Sequence, residues 1–430
     1  MSEADAIDFE ELDYFVDESL LADPYPYFEH LRAQCPVQRE PHHGVVAITG
    51  LDEAAEVLRD SADFSACNSV SGPFSSFPGP DENVDDVGAL IEQYRDQIPM
   101  GRDFPTQDPP RHTDLRALLM RLLTPKRLKE NEEFMWRLAD RQLDELLALG
   151  DECEFISAFA DPYTLLIIAD LLGVPEADHP ALLEMRMGSA GKLGGGMKKD
   201  PQGYLKEAFA TYIEDRRANP RDDVLTKLAT ATFPDGSTPA PSEVAGVAAF
   251  LFVAGQETTV RLLAAALQLL GERPDLQQLL RDERDRIPSF IEETLRIESP
   301  VKSHFRMARV DTTVAGVDVP AGTTVMLLDG AANRDPRHFE RPDEFDIDRS
   351  NSRHHIAFGL GIHTCPGAPL ARAEARVALE RILDRMTDIR ISEAEHGPEG
   401  ARRYQYLPTY LFRGLANLHI EFMPTASPDD

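Results

Sequence analysis

The stretch Phe358 to Gly367, "FGLGIHTCPG", limits what this chain can fold into more than any other. Gly359 and Gly361 permit a tight turn with close backbone approach. Pro366 and Pro369 sit where a helix begins, and "PLARAEARVALERIL" continues at helical spacing. Cys365 therefore precedes a helix N-terminus, where free backbone N–H groups and the macrodipole favour a thiolate over a thiol. A thiolate has three usual tasks: nucleophile, zinc ligand or haem-iron ligand. Zinc needs further soft or imidazole ligands nearby, and only His363 is close in sequence. A cysteine nucleophile with a histidine base remains open on residue types alone, as does the packing role usual for cysteine.

Composition narrows the setting. The 430 residues are 42% hydrophobic and 28% charged, ample for a large core, and the net charge of −31 disfavours nucleic acid and anionic membrane surfaces as partners. Cys35, Cys67, Cys153 and Cys365 are scattered without paired spacing, which fits a reducing compartment. The opening "MSEADAIDFEELDYF" has neither a basic nor an apolar leader region. The longest nearly unbroken apolar run, Val244 to Gly255, has 12 residues, against roughly 20 for a membrane span. A cytoplasmic protein without a membrane segment is expected, as one domain over 1–430 with flexible ends at 1–14 and 425–430.

Periodicity predicts a mainly α chain with a minor β component. Helices are expected at 111–123, where Asp108 is positioned to cap, and at 134–148, 163–172, 204–217, 242–270, 275–297 and 369–386. Short strands are expected at 45–49, 313–319, 324–328 and in "NLHIEF". Two Gly/Pro/Ser-rich stretches, 61–99 and 188–201, read as long loops, and Gly194 to Gly196 suggests a mobile lid.

Three further segments carry chemistry. "AGQETT", Ala254 to Thr259, interrupts the apolar stripe of a long helix, and Thr258 can bond back to the carbonyl of Ala254. "EETLR" places Glu293 and Arg296 one helical turn apart, a spacing usually worth little at a surface. His112 and Arg116 share a helix face, while Arg306 and His363 add two more groups suited to carboxylates.

Taken together, "FGLGIHTCPGAPLAR" resembles the haem-binding signature of the cytochrome P450 superfamily, and the other segments match in the family's order. The resemblance spans nearly the whole chain. It implies the single-domain P450 fold, a triangular helical prism with small sheets. Haem b would lie between a long distal helix and the proximal Cys365 loop. Cys365 would be the axial thiolate, with Phe358, Gly359 and Gly367 close to the haem. His112, Arg116, Arg306 and His363 would meet its propionates. Ala254 and Gly255 would leave room for O2, and Glu257 and Thr258 would relay protons, a buried carboxylate with a raised pKa suiting that work. Glu293 and Arg296 would form a core ion pair, with Arg341 or Arg349 as third partner. Phe250, Val253, Val301, His304, Leu411 and Phe412 would face a hydrophobic substrate of terpenoid, steroid, fatty-acyl or aromatic type. The activity implied is insertion of one oxygen atom of O2, by a monomer fed with electrons from NAD(P)H through a ferredoxin reductase and ferredoxin. No Gly-rich dinucleotide fingerprint or cluster-binding cysteine set is present in the chain to supply them internally. Arg372, Arg376, Arg121, Lys126 and Arg127 form the candidate docking patch. A peroxide-driven enzyme, a haem sensor without turnover and a haem-free zinc or cysteine hydrolase are the competing readings.

Overall fold

The structure, a computed structural model, describes residues 8–75, 77–78, 85–184 and 202–425. The expected loop 188–201, with its glycine run, lies outside the described residues. Helices dominate. The longest, Pro241–Glu272, packs against Asp161–Leu172, Gly203–Ala218, Ile287–Glu298 and Ala368–Arg385. It is long and apolar enough to cross a bilayer, yet most of its apolar window is buried against these neighbours, as a central core helix requires.

The β component is small, as expected. A five-stranded sheet runs in the order 37–39, 46–48, 324–327, 304–308, 64–65, with one parallel pairing between 46–48 and 324–327. Strands 152–154, 419–424 and 386–391 form a second, antiparallel sheet.

Several expectations are corrected. The single helix 275–297 is two, Pro274–Asp282 and Ile287–Glu298, joined by a 3-10 turn at Arg284–Arg286. Pro288 has no N–H to give and sits at the start of the second helix, where that costs nothing. The strand 313–319 is a hairpin: Ala315 and Gly316 both take positive φ, 49° and 81°, which turns the chain between 312–314 and 317–319. The 61–99 stretch holds a two-residue strand, a 3-10 turn and the helix Gly88–Tyr94, rather than continuous loop. Asp108 caps no helix; its carboxylate takes the amide of Ala66 at 2.9 Å and the hydroxyl of Ser65.

The ends are also more ordered than expected. Tyr14 is buried, and its hydroxyl donates to the Tyr410 carbonyl at 2.8 Å, so the 8–14 segment is packed rather than loose. Thr425 is tied to Arg385 and Asp384, while 1–7 and 426–430 lie outside the described residues.

Candidate functional site

Cys365 is held by its own loop. Gly361 takes φ +69°, and a Cβ there would sit 2.2 Å from the Leu58 carbonyl oxygen. Only glycine satisfies both conditions. The Cys365 amide donates to the Phe358 carbonyl at 2.8 Å, which closes the turn. The helix Ala368–Arg385 follows at once. Burial pushes the Cys365 thiol up, and the backbone amides of Gly367 and Ala368, with Arg116 and Arg372, pull it down only in part. This corrects the expectation that the helix N-terminus alone holds a thiolate. A bound metal cation would reverse the balance, since a coordinating thiol loses its proton.

The competing tasks for Cys365 find little support. Among the described residues no group of three or more His, Cys, Asp or Glu side chains could hold a metal ion. His363 Nε2 is buried without a hydrogen-bond partner, so it is not paired with the sulfur as a base would be.

Ala254, Gly255 and Thr258 face Cys365 across a cavity of about 290 Å³, also lined by Phe358, Gly359, His363 and Gly367. The Thr258 hydroxyl donates to the Ala254 carbonyl at 2.8 Å. Gly255 has a packing reason as well: a Cβ there would meet Ile168 at 2.5 Å. Glu257 is a correction. It is not an isolated buried carboxyl, because the guanidinium of Arg261 is paired with it one turn along. Sequence spacing alone could have found that i, i+4 pair. A larger, more polar cleft of about 830 Å³ adjoins across Phe104, away from the sulfur.

Four basic side chains gather at one edge of the cavity. His112 and Arg306 are buried, and the rings of His112 and His363 lie 4.2 Å apart. Arg116 Nη2 donates to the Thr364 carbonyl at 3.0 Å. Arg116 Nη1, His112 Nε2 and His363 Nε2 are buried without partners. Burial, reinforced by Arg116 and Arg306, lowers His112 to about 4; burial, with Arg306 and His112 adding, lowers His363 to about 2. Burial takes Arg306 down to about 10. Orphaned donors beside the guanidiniums of Arg116 and Arg306 fit a bound group with two carboxylates, as in haem b.

A buried network supports the Cys365 loop. Arg296 and Glu293 are fully buried, joined at 2.8 and 2.7 Å. Arg349 Nε donates to Glu293 at 2.9 Å, whereas Arg341 is exposed against Glu344 and Asp346, so Arg349 is the third partner. Arg296 also donates to the carbonyls of Asn333 and Pro342, and Asn333 Oδ1 takes the Ile356 amide just before the loop. A second cluster was not foreseen: Glu292 accepts from His355 and Arg372, and Arg372 lies 4.5 Å over the Phe358 ring. Although burial opposes it, those donors hold Glu292 down at about 2.

Of the expected substrate contacts, Phe250, Val301 and His304 line the cavity. Val253 packs against the main core, Leu411 joins the cluster around Tyr14 and Tyr27, and Phe412 lies under the Arg261 guanidinium at 4.9 Å; none of the three lines it. Lys302 turns away and is buried, its amine 5.6 Å from the Tyr14 ring. The basic patch is largely neutralised: Arg372 pairs with Glu292, Arg376 with Glu132 and Glu380, Arg127 with Asp170, and Lys126 with Glu130 at 3.8 Å.

Glu374, on the helix after Cys365, was missed. It is fully buried with no well-formed hydrogen bond to either oxygen, and burial lifts its carboxyl to about 8 against a partial pull from Thr259. Its folded value exceeds the unfolded one, so folding takes up a proton, and stability is lost as pH rises through about 8. Glu374→Gln removes this dependence. Its melting temperature should gain on wild type between pH 5 and pH 9 by several degrees, for about 4 kcal/mol. Parallel pH profiles for the two proteins would show that the carboxyl is not raised.

Residues 177–387 match the family model described as Cytochrome P450. The chain is 34% identical over 421 residues to "Cytochrome P450 144" of Mycobacterium tuberculosis, covering 95% of this chain and 90% of that protein. The substrate-free structure of Mycobacterium marinum cytochrome P450 CYP150A6 is similar at TM-score 0.91 and 55% identity, over 97% of this chain and all of that one. CYP109E1 of Bacillus megaterium, solved with testosterone, is similar at TM-score 0.74 and 29% identity, over 93% and 99% of the two chains.

Proposed function

The chain belongs to the cytochrome P450 family, and on that premise we propose that Cys365 holds the iron of a haem b beneath Thr258, in an enzyme that oxygenates a hydrophobic small molecule. The observation that carries this reading is the pairing of Cys365 and Thr258 across one cavity, with four basic groups at its edge. Haem b, when bound, supplies reductive activation of O2, and a thiolate ligand favours O–O cleavage.

The chain's own residues do the rest. His112, Arg116, Arg306 and His363 would hold the propionates and orient the ring. Phe358 and Gly359 close off the side of the sulfur. Thr258 Oγ1 donates to Ala254 at rest; rotating that hydroxyl into the cavity presents a proton there. Glu257 would return a proton to Thr258 after its carboxylate leaves Arg261 and takes that proton from solvent. Phe250 and Val301 supply an apolar wall that favours a terpenoid, steroid, fatty-acyl or aromatic substrate and excludes water. CYP109E1, solved with testosterone, supports the steroid member of that set.

Electrons come from NAD(P)H through a ferredoxin reductase and a ferredoxin. Because Arg372, Arg376 and Arg127 are held by half-buried or buried carboxylates, docking falls to Arg121 and Lys126. Among the described residues Arg121 has only the Thr232 carbonyl as partner, and Lys126 is 86% exposed and meets Glu130 only at 3.8 Å. The protein acts as a cytoplasmic monomer. Thr258→Ala tests the relay: product formed per electron consumed should fall about tenfold or more. Unchanged coupling would remove Thr258 from the relay and favour a peroxide-driven reaction.

A further inference from the structure

We propose that His304 and Asp329 form a polar anchor in the apolar pocket, one that selects substrates carrying a hydroxyl group. This rests on the oxygenase reading above and names the substrate class it leaves open.

His304 opens the strand 304–308 and Asp329 starts the short helix Asp329–Ala332, so the fold brings together residues 25 positions apart. Both line the same cavity as Cys365 and Thr258, whose other walls include Val70, Phe250, Leu251 and Val301. His304 Nδ1 lies 2.8 Å from Asp329 Oδ2. Asp329 is 2% exposed, and its second oxygen, Oδ1, is buried without a partner. A buried carboxylate oxygen left bare is costly, and something must donate to it.

The chemistry of the occupant follows. His304 Nδ1 is taken up by Asp329 Oδ2, so Asp329 Oδ1 is the atom of the carboxylate left for an occupant. A bare carboxylate oxygen only accepts, so the pair needs a donor. An alcohol O–H satisfies Asp329 Oδ1 and loses little on leaving water. A carboxylate would set like charge against Asp329, and a plain hydrocarbon would leave Oδ1 bare. An ammonium would meet the buried guanidinium of Arg306, which shares the pocket and already feels the Asp329 charge. A neutral hydroxyl fits best.

The test is calorimetric binding to the haem-loaded protein, whose reduced carbon monoxide spectrum is recorded first. Three scaffolds serve as probes: adamantane, decane and androstane, each as parent hydrocarbon, alcohol and carboxylate. On every scaffold that binds, the alcohol should bind about tenfold tighter than its parent and tighter still than its carboxylate. Asp329→Asn and His304→Phe should bring alcohol and parent to within about twofold while leaving the parent's affinity in place. The proposal falls if the alcohol is no tighter than its parent, if the carboxylate binds best, if no alcohol binds, or if the preference survives both substitutions. Loss of haem from His304→Phe with an unchanged alcohol preference would assign the pair to the cofactor's carboxylates instead. Should both variants fail to fold, the wild-type panel alone decides. A wild-type spectrum without the thiolate band removes the haem assignment, and the alcohol preference still reads the anchor by itself.

Discussion

Glu293→Ala is expected to lower the stability of the folded protein by about 3–5 kcal/mol, and to yield protein that retains little haem. The pair it breaks is an uncommon kind. Glu293 and Arg296 are both fully buried, so the substitution leaves a guanidinium deep in the fold with only carbonyl partners. Arg349 loses its carboxylate at the same time. The damage travels by a traceable route. Arg296 fixes Asn333, Asn333 holds the Ile356 amide, and the turn that positions Cys365 begins two residues later. Arg341→Ala provides the contrast, because Arg341 itself is exposed, between exposed Glu344 and half-buried Asp346, and such surface pairs contribute less than about 1 kcal/mol. Denaturant unfolding of the two variants measures both. Equal, small losses would show that the buried triad contributes nothing.

Cys365→Ser should remove oxygenase turnover by more than about a hundredfold, since even loss of an outer-shell partner of a metal ligand costs up to that much. The fold itself should survive. Serine keeps the small side chain, and the loop is held by the Phe358–Cys365 backbone bond and by Gly361 against Leu58, neither of which uses the sulfur. Stability within about 1 kcal/mol of wild type, with product formation at background, is the expected outcome. Turnover retained in Cys365→Ser would mean that the sulfur does not serve the reaction.

The parts of the site that were legible in the sequence are local. The Phe358–Gly367 turn needs glycines and prolines at set positions, and Thr258 finds the Ala254 carbonyl four residues back on the same helix. What was hidden depends on pairings across the chain. Nothing near Glu293 in sequence chooses Arg349 over Arg341; only the fold buries one and exposes the other. Glu292, the neighbouring residue, reads as half of an acidic doublet, yet it meets His355 and Arg372 more than sixty positions away. Asp329 and Glu374 look like ordinary surface carboxylates in one dimension and are among the most buried charged groups in three. Burial also overturned a correct local argument: the helix N-terminus does pull the Cys365 thiol down, but loss of water outweighs it. The broken 275–297 helix has the same lesson at the level of fold, since its apolar stripe continues through a turn that Pro288 restarts.

The central claim is that Cys365, as a thiolate, is the ligand beneath Thr258. The most direct measurement is the carbon monoxide difference spectrum of the reduced, haem-loaded protein, taken beside Cys365→Ser. The account predicts a band at the unusually long wavelength of thiolate ligation in wild type, absent from the variant. A wild-type band at the position of nitrogen-ligated haem, or a long-wavelength band that persists without Cys365, would contradict it.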